Sequence, residues 1–174
     1  MSESHRPHPS QRRAHSLGVV ALFAAALVTA FIAKSAEDEL KWRYTVLAEG
    51  NKDAALVFTA EIPEGWILYS TDFSAALGPR AATFKFEANE GVELIGGIEA
   101  IRSSRKTDRT FGTEYSYFAE RAEFRQRVRL TKTVQNDTDG EKQYLRGTIN
   151  GQTCQEKDGL CALFKQPFQI ELPQ

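Results

Sequence analysis

The stretch Ala122-Glu123-Phe124-Arg125-Gln126-Arg127-Val128-Arg129-Leu130 decides the fold class. Ala122, Phe124, Val128 and Leu130 fall on one face of an extended chain, with Glu123, Arg125, Arg127 and Arg129 on the other. Successive side chains of a strand point to opposite faces, so this alternation describes a strand with one side on a core and the other in water. The same period of two recurs along the chain. It is carried by Leu40, Trp42, Tyr44 and Val46, and then by Leu56, Phe58, Ala60 and Ile62. A short aromatic strand, Trp66 to Tyr69, follows the turn Pro63-Glu64-Gly65. Phe84 and Phe86 alternate with Thr83, Lys85 and Glu87, and the turn Asn89-Glu90-Gly91 leads to a strand from Val92 to Ile95. Beyond the turn Asn136-Asp137-Thr138-Asp139-Gly140 come a strand from Gln143 to Ile149 and a last one on Phe168, Ile170 and Leu172. Seven to nine short strands with no helix after Lys34 predict an all-β domain, a two-sheet antiparallel sandwich that is immunoglobulin-like in outline. Ser70 to Arg80 and Arg102 to Gly112 are read as its two substantial loops.

The N-terminus is of another kind. A polar stretch with Arg6, Arg12 and Arg13 precedes Leu17 to Ala33, seventeen residues without a charge, and Glu37-Asp38-Glu39 follows. Basic, then apolar, then acidic is the order of an export signal or an N-terminal anchor helix. At about 1.5 Å per residue the apolar run reaches roughly 25 Å, a little short of a hydrocarbon core of about 30 Å. Small residues permit cleavage after Ser35 or after Ala30, so cleaved signal and retained anchor both stand. The expected organisation is a basic cytoplasmic region at 1–16, a signal or anchor at 17–36 and one exported domain at 37–174. Membrane contact is expected only through the N-terminal segment. The domain carries eighteen Lys/Arg against twenty-two Asp/Glu, a net charge of −4, and shows no basic patch interleaved with aromatics. Nucleic acid is therefore not an expected partner.

Chemistry narrows to two residues. All three histidines, His5, His8 and His15, precede the apolar run, and the only methionine is Met1. The exported part thus has no imidazole or thioether for a metal or haem, and two thiols alone do not make a zinc site. No cofactor is expected. Cys154 and Cys161 remain, and an oxidising compartment favours a disulfide between them. The spacing is not that of a thioredoxin-type CxxC pair. The two cysteines flank the mouth of an expected hairpin, and a ring this small adds roughly 2–3 kcal/mol by chain entropy. Glu156 and Asp158 oppose Lys157 and Lys165, so local charge does not favour a thiolate. Spacing and charge leave two readings open, a reversible redox pair and a structural clip in a non-catalytic binding module.

The order of several motifs adds to this. Ile62-Pro63-Glu64-Gly65-Trp66-Ile67-Leu68-Tyr69-Ser70, Leu77-Gly78-Pro79, Phe111-Gly112-Thr113-Glu114-Tyr115-Ser116-Tyr117-Phe118, Ala122-Glu123-Phe124 and the cysteine hairpin resemble the N-terminal periplasmic domain of the thiol:disulfide interchange protein DsbD. The resemblance runs from about Leu40 to Leu172. It implies an immunoglobulin-like sandwich in the periplasm with a redox-active pair. Such a domain takes electrons from a thioredoxin-like domain fed by a membrane reductase and passes them to periplasmic thiol proteins, including disulfide isomerases and the thioredoxin of cytochrome c biogenesis. On the same resemblance Cys161 is the sulfur attacked by partners and Cys154 resolves the mixed disulfide. A cap loop, Asp108-Arg109-Thr110-Phe111-Gly112, would shield the disulfide with Phe111 as its lid and Gly112 allowing the turn. Tyr69 would line the site, and Asp108 would assist proton transfer.

Two departures stand out. Six residues separate the cysteines, one more than is expected of the family, so the hairpin must bulge or carry a longer tip. Ala162-Leu163-Phe164 also replaces the prolines that usually follow the second cysteine. The sequence holds neither a multi-span reductase nor a thioredoxin-like domain, so the expected partners are separate proteins: a membrane thiol reductase and thioredoxin-like periplasmic proteins. The domain itself is expected to be soluble after signal cleavage or tethered by residues 17–33.

Overall fold

The computed structural model describes residues 40–74, 78–108, 112–131 and 142–173. The helix expected within 17–36 and the turn at 136–140 lie outside the described residues. Ten strands occur among the described residues: β1 (Lys41–Ala48), β2 (Asp53–Glu61), β3 (Trp66–Tyr69), β4 (Thr83–Phe86), β5 (Val92–Ala100), β6 (Ser104–Asp108), β7 (Thr113–Ala119), β8 (Arg121–Leu130), β9 (Tyr144–Gln155) and β10 (Cys161–Glu171). No helix occurs among the described residues. One sheet has the order β1-β2-β8-β5, and the other β10-β9-β3-β7-β6 with β4 also paired to β9. The strand pairs are antiparallel throughout.

The apolar faces meet between the sheets. Leu56, Phe58, Phe124 and Val128 of the first sheet bury fully against Leu68, Leu145 and Ile149 of the second. The centre is aromatic. Phe58 has ring centroids of Phe168 at 5.0 Å, Phe84 at 5.1 Å and Tyr44 at 5.7 Å, the geometry of edge-to-face contacts. Phe124 lies 5.0 Å from Phe84 and 5.1 Å from Phe118. The charged face of β8 turns to solvent as its alternation requires, and there Arg125 pairs with Glu123, Arg127 with Glu49 and Arg129 with Asp53. Such exposed pairs contribute little to stability and chiefly keep this sheet face wet.

Several strands differ from the sequence reading. The segment read as one loop from Arg102 to Gly112 contains β6, paired to β7 from Ser104↔Tyr117 to Asp108↔Thr113. Ser104-Arg105-Lys106-Thr107-Asp108 has no apolar residue because it forms the edge of its sheet, where charged side chains also block pairing with other chains. β5 continues past Ile95 to Ala100 through a register shift between Ile95 and Glu99. Gln126, on the core-facing row of β8 and only 2% exposed, serves that irregularity. Its Nε2 donates to the carbonyls of Ile95 at 3.1 Å and Arg127 at 2.9 Å. β9 and β10 are also longer than expected and take both cysteines into the ladder.

Candidate functional site

The β9–β10 register runs without interruption from Tyr144↔Glu171 to Cys154↔Cys161. The extra residue between the cysteines is therefore in the tip, and no bulge is needed. Gln155 N–H donates to the Leu160 carbonyl at 2.8 Å and Gly159 N–H to the Gln155 carbonyl at 3.0 Å, closing a turn over Glu156–Gly159. Gly159 has φ of +66°, a conformation that side chains with a Cβ adopt at a cost. Because Gln155 and Leu160 share a ladder hydrogen bond, the next pair along, Cys154 and Cys161, falls at a position without one, where antiparallel strands approach most closely. Their Cα atoms are 4.1 Å apart and the sulfurs are joined in a disulfide.

The two sulfurs have unlike surroundings. Cys154 is 5% exposed, whereas Cys161 lies open to solvent at the sheet edge beside Leu160 and Leu163, which are 62% and 61% exposed. Cys154 pairs across β3 with Ile67 and belongs to a small cluster on the outer face of the second sheet, with Ile67, Tyr69 and Tyr115. Phe73 and Tyr117 pack against that cluster. Tyr69 and Tyr115 meet edge to face at 5.3 Å, and Phe73 lies 6.2 Å from Tyr69. This explains why Trp66-Ile67-Leu68-Tyr69 reads as a continuous apolar run. Leu68 faces the central core, while Ile67 and Tyr69 face this second cluster.

The loop after β3 roofs the cluster. Its stem is closed by a hydrogen bond from Ala82 N–H to the Ser70 carbonyl at 3.0 Å. Asp72, next to Phe73, accepts hydrogen bonds from the hydroxyls of Ser116 and Ser103 and lies 3.7 Å from the Arg105 guanidinium. Farther along, Arg80 N–H donates to Gln152 Oε1 at 2.9 Å, and Gln152 Nε2 donates to Cys154 Sγ at 3.5 Å.

Burial pushes the Asp72 carboxyl up, but the hydrogen bonds it accepts, that from Ser116 foremost, outweigh burial and hold it below its ordinary value. Folding therefore favours the charged form. That contribution is complete above the ordinary carboxylate range near about 3.9 and is lost as pH falls through the depressed folded value. Asp72→Asn is expected to lower the melting temperature at neutral pH, the deficit closing in acid. The side chain is 35% exposed, so screening keeps the loss under about 1 kcal/mol. Melting curves of both proteins across pH 2 to about 7 check this, and a deficit that grows in acid would contradict it.

Of the residues singled out from sequence, Cys154 and Tyr69 share one cluster, and Cys161 stands beside it at the sheet edge. Asp108 is the last residue of β6, with its backbone opposite Thr113, and Gly112 follows in a turn with φ of +64°. Phe111 lies outside the described residues. Gln152, Phe73, Ile67 and Tyr115 were not singled out. Gln152 had a legible signal, since two residues before Cys154 on a strand is the same face. Phe73 had none, because its place depends on the course of a loop.

The described residues thus form an all-β sandwich with a disulfide across a hairpin, one sulfur open and the other buried. The chain belongs to the family of the N-terminal domain of the thiol:disulfide interchange protein DsbD, whose sequence profile matches residues 35–172. Among solved structures, the N-terminal domain of DsbD from Neisseria meningitidis in the reduced form is similar at 17% identity and a TM-score of 0.45, covering 75% of this chain and 86% of that one. The N-terminal periplasmic domain of ScsB from Proteus mirabilis is similar at 15% identity and a TM-score of 0.48, covering 77% of this chain and 47% of that one. This chain thus spans about half the length of that ScsB domain chain. A search of curated proteins returns no match.

Proposed function

We propose that this domain relays electrons by reversible opening of the Cys154–Cys161 disulfide. A thiolate of a thioredoxin-like dithiol attacks Cys161 Sγ. The Cys154–Cys161 bond breaks, its electron pair passes to Cys154 Sγ, and a mixed disulfide forms through Cys161. The donor's second thiol then attacks its own partnered sulfur and leaves as the oxidised protein, so that Cys154 and Cys161 remain as a dithiol after proton uptake. Reversal of these steps on the disulfide of an acceptor passes both electrons on. The donor is a thioredoxin-like protein recharged by a separate membrane thiol reductase, and the acceptors are thiol proteins of the envelope. The domain at 37–174 works in the periplasm, led there by 17–36 as signal or tether behind the cytoplasmic residues 1–16. Phe111, on the Asp108–Gly112 loop, is its lid, with Tyr69 lining the site and Asp108 assisting proton transfer.

The observation that carries this reading is the asymmetry of the sulfurs. An incoming thiolate can approach the exposed Cys161, whereas Cys154 sits beneath the aromatic cluster. Family membership supports the same chemistry. The reduction potential tests it. Structural disulfides of exported proteins lie below about −300 mV, and an exchange-active pair is expected above that line on equilibration with a thioredoxin couple. A value well below it, without transfer from a thioredoxin-like dithiol, would leave the disulfide as a clip in an envelope binding module.

A further inference from the structure

Gln152 stands opposite Leu163 in the hairpin and shares a strand face with Cys154. Its amide is held at both ends. Oε1 accepts from the Arg80 backbone N–H and Nε2 donates to Cys154 Sγ. A backbone N–H can only donate, so Arg80 dictates which end of the amide turns to the loop and leaves the –NH2 on the sulfur.

We propose that Gln152 is a catalytic residue that stabilises the thiolate on Cys154 as it leaves. The proposal rests on the exchange reading above. When a partner thiolate bonds to Cys161, the electron pair of the broken disulfide collects on Cys154 Sγ, a sulfur 5% exposed and packed among Ile67, Tyr69 and Tyr115. Burial among such groups disfavours the charged form. A preoriented N–H at 3.5 Å offsets that where the charge develops, and a better-stabilised leaving thiolate departs faster. In the reverse direction the same donor enlarges the thiolate fraction of Cys154 that resolves a mixed disulfide on Cys161. The Arg80 N–H, at the foot of the loop that carries Phe73, is a positioning group acting through Gln152.

Two variants test this on the full chain, with dithiothreitol as reductant and no protein partner. Gln152→Met removes the donor at similar size and without charge. Gln152→Glu keeps the acceptor for Arg80 and puts an anionic oxygen at the sulfur. Reduction of the oxidised protein is expected to slow roughly threefold in the first and about tenfold in the second. In a Cys161→Ser background the Cys154 thiol is expected to ionise about one pH unit higher in both, read by thiolate absorbance. If Gln152 only anchored the loop, Gln152→Met would lower the melting temperature and leave that ionisation unmoved, which would overturn the proposal. Should Gln152→Met fail to fold, an unshifted ionisation in Gln152→Glu overturns it equally. Because no partner enters these measurements, failure of the relay reading would show in the reduction potential and leave the Gln152 result to be judged by itself.

Discussion

The Cys161→Ser variant is expected to lose exchange with a thioredoxin-like dithiol completely, whereas Cys154→Ser is expected to stop halfway. In Cys154→Ser the exposed thiol still forms a mixed disulfide, by attack on an oxidised partner or capture of an activated one. The group of this domain that would resolve it is gone, and with a partner whose second cysteine is also replaced by serine no other thiol can release it. With the two Cα atoms 4.1 Å apart, the native Cys154 sulfur is held at high effective concentration against that intermediate, so its removal lengthens the lifetime greatly. A non-reducing gel should show an adduct with Cys154→Ser at least about 100-fold more abundant than with Cys161→Ser. Neither change threatens folding, because a ring this small adds only about 2–3 kcal/mol and the sandwich has a large core of its own. Equal adduct from both variants would show that the buried sulfur is as accessible as the exposed one, and the assignment of roles would fall.

Phe58→Ala is expected to cost about 3–5 kcal/mol of stability. The ring is fully buried and meets Tyr44, Phe84, Phe86 and Phe168, drawing on both sheets. Its loss leaves a cavity walled by rings that are themselves braced by neighbours and cannot collapse into the gap. For a domain of this size the melting temperature should fall by roughly 10–20 °C. Leu47→Ala, at a site 46% exposed, should stay within about 0.5 kcal/mol of the parent. Chemical denaturation of the two variants decides the matter. A loss under about 1 kcal/mol at Phe58 would mean that the two sheets do not share the centre described here.

Sequence and structure agree best where one face of a strand is apolar. β1, β2, β4 and β8 could be read from alternation alone, since the core imposes a period of two. β6 could not, for an edge strand made of charged and hydroxyl residues has no buried face to betray it. The continuation of β5 past Ile95 has no alternation to show it, since it runs through Gly96-Gly97 within a register shift eased by the Gln126 amide. The cysteine pair was legible by elimination and by the company of its motifs. Its asymmetry was not, because exposure depends on Cys161 opening an edge strand while Cys154 lies in a strand flanked by β3 and β10. Gln126 and Gln152 belong together in this respect. Each is an ordinary polar residue by sequence, and each has its role fixed by a carbonyl, an amide or a sulfur brought near by a distant segment.

The short span of the hairpin ring has a reciprocal meaning. Around a thermodynamic cycle, whatever the closed bond adds to folding, folding must add to the closed bond. A contribution of about 2–3 kcal/mol therefore makes the pair only about 40–65 mV more reducing in the native domain than in the same chain unfolded. On the relay proposed above, a bond so little biased by its fold would let the two electrons move either way on modest differences between neighbours.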